Sequence, residues 1–124
     1  MKVFLKYFIL VLVIASIAKQ SYSQNKKPDS LWFVYNNKAK ADTNRLEAIH
    51  AIANIYRDNN PDTAIILAEQ ELKLAQTSKQ KKYEGKAFNI IGVIFMNKGD
   101  YPKALGYYLK SLKIAEEIGD KQGR

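Results

Sequence analysis

His50 is the sole histidine of this 124-residue chain. It is the one side chain whose ordinary pKa would let it pass a proton near neutral pH. A histidine base needs a Ser or Cys nucleophile within reach. The chain has no cysteine, and no serine stands in an evident relation to His50. The paired carboxylates Glu69/Glu71 and Glu116/Glu117 are the next candidates for acid–base work. Residues one or two apart on a helix do not face each other, so both pairs read as solvated charges. The absence of cysteine also removes disulfides and thiolate metal sites. No phosphate-binding loop, dinucleotide glycine fingerprint, His-Glu-x-x-His or acidic calcium loop occurs. The expectation is therefore a chain that is not an enzyme, with no catalytic residues, no cofactor and no metal.

The charge balance narrows the partners. The formal charge is +8, with 20 Lys and Arg against 12 Asp and Glu. Lys2, Lys6 and Lys19 fall in an N-terminal segment that holds no acid, so the remainder carries 17 minus 12, or +5. Scattered lysines on that scale suit solvated helix faces, and nucleic acid is not expected as a partner.

That N-terminal segment reads as a signal peptide over residues 1–23. Two lysines precede an apolar run over residues 7–18, and Ser21 and Ser23 are small residues at the positions a signal peptidase reads. A dozen apolar residues fall short of the ~20 needed to span a bilayer. Cleavage is expected after Ser23, leaving Gln24 first, with export to the periplasm or beyond. The membrane would be met only through an uncleaved leader or a C-terminal part beyond this sequence.

Residues 24–41 read as a polar linker and a short capping helix. Asp29 or Ser30 would cap it, and Leu31, Val34 and Tyr35 would share one face. Trp32, the only tryptophan, is expected to pack over the exposed end of the helical region C-terminal to it. Helices are then expected over 43–57, 61–78, 83–97 and 101–118. Asn44 with Glu47 would form a capping box on the first. Asn60 with Pro61 would open the second. Lys79, Lys81 and Lys82 would neutralise its C-terminal dipole.

The last two helices form the clearest unit. Phe88, Ile91 and Phe95 keep helical spacing with Gly92 on the same stripe, and Leu105, Tyr108 and Leu112 do so again. The turn Asn97-Lys98-Gly99-Asp100 between them is short enough to force an antiparallel hairpin, with Gly99 free to take a positive φ and Asp100 free to cap. Gly92 and Ala104 are small where the inner faces would cross, so Gly92→Leu is expected to cost roughly 1–3 kcal/mol by overpacking. Gly119 is expected to end the last helix.

These residues resemble the tetratricopeptide repeat. That family's aromatic-x-x-Leu-Gly-x-x-Tyr and later Ala-x-x-x-Phe stand here as Phe88-x-x-Ile91-Gly92-x-x-Phe95 and Ala104-x-x-x-Tyr108. An earlier copy is weaker. Ile49, Ile52, Ala53 and Tyr56 answer the first helix at an offset of 39, and Ala64, Ile65, Ala68, Leu72, Leu74 and Ala75 answer the second at 40. The long period is similar to repeats of bacterial signalling proteins and of kinesin light chains. The implied fold is all-α, a short α-solenoid of two antiparallel helix-turn-helix repeats, 42–82 and 83–118. Residues 119–124 would begin a further, truncated repeat.

By the same resemblance the first helix of each repeat lines a concave groove, which would place His50, Asn54, Arg57, Asn89, Val93 and Met96 in it and Lys86 at its rim. The family's carboxylate clamp wants Lys and Asn where this chain has His50 and Asn54 or Asn89 and Val93, so the clamp is not reproduced. The implied function is binding of a protein or peptide. A leader followed by long repeats ending in Glu116-Glu117-Ile118-Gly119-Asp120-Lys121 is similar to the periplasmic sensor region of histidine kinases and related regulators. The alternative expectation is thus a truncated sensor without activity of its own. An uncapped last repeat would also invite self-association.

Overall fold

The computed structural model describes residues 27–121. The expected signal peptide, its cleavage point and residues 122–124 lie outside the described residues. The chain divides into two units, Met1–Ser30 and Leu31–Arg124, and of the first only the opening turn of a helix is described. The helices are α1 (Lys27–Asn36), α2 (Asp42–Tyr56), α3 (Pro61–Thr77), α4 (Lys81–Asn97) and α5 (Tyr101–Lys121). No strand occurs among the described residues, and the fold is all-α.

In the second unit α2 pairs with α3, α3 with α4 and α4 with α5, while α2 also meets α4. The result is two stacked helical hairpins. The core between them draws Ile49, Ile52 and Ala53 from α2, Ala64, Leu67 and Ala68 from α3, and Ile90, Ile91 and Ile94 from α4. Burying each Ile or Leu contributes roughly 1.5–3 kcal/mol, and alanines on α3 let its neighbours come close. Leu31, Trp32 and Tyr35 pack against this core, and Trp32 meets Tyr35 edge-on at 6.1 Å. Arg45 of α2 anchors α1 by donating from Nε to the Tyr35 carbonyl at 2.8 Å.

The turns show why each helix starts where it does. Asn60 Oδ1 accepts from the Thr63 N–H at 3.4 Å, with Pro61 in the first helical position where a missing N–H costs nothing. Gly99 has φ +80°, a conformation open to glycine at little cost. Asp100 Oδ1 then accepts from the Lys103 N–H at 3.3 Å to cap α5.

Gly92 is the close-approach point. A Cβ there would stand 2.9 Å from Cδ1 and Cε1 of Tyr108 and 3.4 Å from the Ala104 carbonyl oxygen. Gly85 makes a second one earlier on the same helix, where a Cβ would sit 3.3 Å from Cγ2 of Ile114.

Several local expectations need correcting. Pro28, Asp29 and Ser30 lie inside α1, which is already helical at Lys27, so neither Asp29 nor Ser30 begins it. The capping box does not form: Ala41 precedes α2 without a side-chain cap, Asn44 is within the helix, and Glu47 is engaged by Tyr83 and Lys86. Lys79 takes φ +58° in the link after α3, and Lys81 and Lys82 belong to the first turn of α4 rather than the last of α3. There they face the positive end of a helix dipole, partly offset by Lys81 reaching Glu84 at 3.4 Å.

The last helix departs from its reading in two ways. α5 runs through Gly119 to Lys121, since a helical glycine costs only about 0.5–1 kcal/mol and Gly99 is the only glycine with positive φ among the described residues. Its inward arc is also rotated from the expected stripe. Ala104 and Ile114 are buried on it, whereas Leu105 and Leu112 are 59% and 54% exposed. The small sites Gly85 and Gly92 set that rotation, because they accept Ile114 and Tyr108.

Candidate functional site

The densest polar chemistry lies where α2, α3 and α4 meet. Glu71 is fully buried. It therefore reads wrongly as a solvated partner of Glu69: it falls on the Ala64, Ala68, Ala75 stripe that faces inward along α3. A carboxyl in such a place needs a partner. His50 supplies it, with Nδ1 hydrogen-bonded at 2.9 Å from Oε1 and 3.2 Å from Oε2 of Glu71. Burial raises the Glu71 pKa above its ordinary value of 4.5, opposed by the His50 hydrogen bond and charge.

A second layer lies beside this pair. The Tyr83 hydroxyl of α4 donates to Glu47 Oε1 of α2, and Lys86 Nζ reaches the same oxygen at 3.6 Å. Lys86 also sits 5.1 Å above the Tyr83 ring. The hydrogen bond from Tyr83, with the Lys86 charge, holds the Glu47 carboxyl below its usual range. Tyr83 in turn is pushed up to about 12 by its burial and by that bond. The ring packs with Leu46 and Ala75, against Leu74.

The histidine is thus held by the Glu71 carboxyl. Among the described residues its side-chain hydrogen bonds go to Glu71 alone, and no hydroxyl stands on it as a nucleophile would. The pair is a polar tie between α2 and α3. No group of three or more His, Asp or Glu able to hold a metal occurs among the described residues.

The other residues expected to line a groove fall into two sets. On α2, Asn54 Nδ2 donates to the His50 carbonyl at 3.3 Å, and Arg57 Nη1 to Asn54 Oδ1 at 3.5 Å. His50, Asn54 and Arg57 therefore form one ladder along the helix, with Arg57 also paired to Asp58 at 3.2 Å. On α4, Lys86 and Asn89 border a pocket of about 290 Å³ that continues over Ser111, Ile114 and Ala115 of α5. Val93 is half-buried and Met96 exposed, and neither joins a hydrogen-bonded cluster.

The repeat-defining residues separate by environment. Ala53, Ala64, Ala68, Ile91, Gly92 and Ala104 are buried. Tyr56, Phe88, Phe95 and Tyr108 are half-buried. Phe95 stacks on Tyr107 at 5.7 Å, and Phe88 lies 6.2 Å from the same ring.

Residues 87–122 match the family model described as tetratricopeptide repeat. The match covers most of α4 and all of α5, the hairpin that carries Gly92 and Ala104. No curated protein and no solved structure matches the chain. No helix among the described residues is long and apolar enough to cross a membrane.

Proposed function

We propose that the chain is a non-catalytic protein–protein interaction module that works outside the cytoplasm, binding a protein or peptide across the faces of α2 and α4. The observation that carries this reading is the repeat match over residues 87–122 on a hairpin stacked against a second, similar one. Repeats of this kind stack helix pairs to display a binding surface rather than enclose an active centre. The ladder His50, Asn54 and Arg57 on one first helix and Lys86, Asn89 and Met96 on the other offer amide, cationic and apolar contacts for an extended chain or a helix.

The extracytoplasmic setting rests on the leader over residues 1–23. The finer proposal, a sensing role like that of the periplasmic region of histidine kinases, rests on the long repeat period and the Glu116–Lys121 sequence. Two experiments test these statements. Mass spectrometry of the chain expressed in a Gram-negative host should find a periplasmic product beginning at Gln24; a full-length cytoplasmic product refutes export. Partners crosslinked to the periplasmic chain should be lost with the double variant Asn54→Ala, Arg57→Glu while its helical circular dichroism at the assay temperature stays that of the parent. An unchanged set of partners refutes the assignment of these residues.

A further inference from the structure

The two hairpins carry the same surface twice, and among the described residues only the first copy has a helix laid over it. α2 and α4 begin at Asp42 and Lys81, 39 positions apart, and α3 and α5 at Pro61 and Tyr101, 40 apart. At those offsets Leu46, Glu47, Leu74 and Ala75 correspond to Gly85, Lys86, Ile114 and Ala115. The first set is the seat of the Tyr83 ring, which α4 lays on Leu46 and Ala75 while its hydroxyl meets Glu47. The second set lines the pocket of about 290 Å³ between α4 and α5. Gly85 stands where the first copy has Leu46, and Ile114 leans into the place of the missing side chain, its Cγ2 3.3 Å from where a Cβ would be, so the second seat is floored by Gly85 and Ile114 instead of by a leucine. Alongside it, Tyr101, Leu105 and Leu112 are 54–63% exposed, whereas their counterparts Pro61, Ile65 and Leu72 are half-buried.

Charge distinguishes what each seat accepts. In the first copy the receiving helix offers the Glu47 carboxylate, and the arriving helix brings Lys86 to it at 3.6 Å. In the second copy the receiving positions at the rim are themselves Lys82 and Lys86. An arriving helix is complementary when it carries carboxylates where α4 carries lysines. Both ammonium groups now lie over the Tyr83 ring, Lys86 at 5.1 Å and Lys82 at 5.9 Å from its centre, while their side chains border the outer pocket.

We propose that the outer face of the α4–α5 hairpin docks an acidic amphipathic helix of a partner protein, which inserts an aromatic side chain between Gly85 and Ala115 and lies along Leu105 and Leu112. The inference deepens the interaction-module reading by naming the chemistry of a partner, at a surface apart from Asn54 and Arg57.

The test uses the full chain and a synthetic peptide built on the helix that covers the first seat. The probe is the 17-residue α4 sequence, acetylated and amidated, with Lys81→Glu, Lys82→Glu and Lys86→Glu and a fluorescent label read by anisotropy. Tyr83→Ala in the peptide should weaken binding about tenfold or more, as loss of a buried aromatic anchor does. Ala115→Trp in the protein, which fills the pocket from an exposed position, should weaken it comparably. Lys82→Glu, a change at an exposed position, should weaken it and flatten its dependence on salt. Asn54→Ala with Arg57→Glu should leave peptide binding unchanged even where it abolishes partner capture. Equal binding of the Tyr83→Ala peptide, or equal binding to the Ala115→Trp and Lys82→Glu proteins, overturns the proposal. So does an unaltered α4 peptide that binds as tightly as the acidic one. A chain that sediments alone as a dimer and becomes a monomer with Ala115→Trp overturns it in favour of a second copy as the occupant.

Discussion

Two glycines in the same hairpin give a matched pair of substitutions with opposite expected signs. Gly92 and Gly106 both lie within helices, so replacing either by alanine should gain about 1 kcal/mol from backbone entropy and helix propensity. At Gly106 nothing lies within 4 Å of the added Cβ, and that gain should appear in full. At Gly92 the Cβ would stand 2.9 Å from two ring carbons of Tyr108 and 3.4 Å from the Ala104 carbonyl oxygen. Ordinary contact between carbons is ~3.5–4.0 Å, so the ring must move or the helices must separate. The overpacking cost of about 1–3 kcal/mol offsets the propensity gain and leaves Gly92→Ala between neutral and about 2 kcal/mol destabilised. The quantity of interest is the difference between the two variants, about 1–3 kcal/mol, which equals the packing term alone. For a domain of this size each kcal/mol moves Tm by about 4–8 °C. Denaturant unfolding followed by helical circular dichroism measures it directly. In a Tyr108→Ala background Gly92→Ala should become stabilising, and the double-mutant cycle returns the coupling between ring and glycine. If Gly92→Ala stabilises the parent chain as much as Gly106→Ala does, the close approach of α4 to α5 at this point is refuted.

Other substitutions probe the polar layer and the turns. His50→Ala leaves the buried Glu71 carboxyl without its hydrogen bond and should cost about 1–3 kcal/mol; unfolding free energies within error of the parent would dissolve the tie. Because burial raises Glu71 above its ordinary value of 4.5, its contribution is full below pH 4.5 and lost as pH rises through the raised folded value. Glu71→Gln does not titrate, so its stability relative to the parent should climb above pH 4.5; a gap that is flat with pH counts against a desolvated carboxyl. Glu47 is held low, so its contribution is present above pH 4.5 and fades as pH falls, and Glu47→Gln should cost most near neutrality in the same series of melts. Gly99→Ala forces alanine to φ +80° and should cost about 1–2 kcal/mol although the surrounding space is open.

The hairpin of α4 and α5 was legible because its signals are local. Gly99 and Asp100 dictate the turn by backbone conformation and capping, and the small residues Gly92 and Ala104 fall on the stripes that period 3.6 defines. Glu71 was legible as well: it sits three residues after Ala68 and four before Ala75, the spacing of a buried stripe. Pairing it with Glu69 by charge type hid that position. The seat of Tyr83 was not legible, because Leu46, Glu47, Leu74 and Ala75 meet it only through the relative placement of three helices. Nor could the rotation of α5 be read from its own sequence. Tyr108 completes a stripe equally well with Leu105 and Leu112 or with Ala104, Ser111 and Ile114, and the choice between them is made by the gaps at Gly85 and Gly92 on the neighbouring helix.

The polar layer also fixes the inner interface in one register. An isoleucine moved by one turn along α4 still meets apolar surface, so Ile90 and Ile94 alone tolerate sliding. The Tyr83 hydroxyl on Glu47 and the Lys86 ammonium on the same oxygen do not: a shift of one turn, ~5.4 Å, breaks both and strands a buried tyrosine. Glu71 imposes the matching constraint between α2 and α3, since its carboxyl has no other side-chain partner than His50 among the described residues. Unsatisfied buried groups cost more than satisfied ones return, so this layer excludes wrong registers by more than it adds to stability. At the outer face the corresponding positions are Lys86, Asn89 and Ser111. Ser111 is already spent on the Gly85 carbonyl at 3.0 Å, which leaves Lys86 and Asn89 to select the register of whatever helix settles there. Lys86 cannot serve both interfaces at full strength, because its ammonium already leans on Glu47. Removing that carboxylate with Glu47→Gln should therefore free Lys86 and tighten the acidic probe, while loosening α4 on α2.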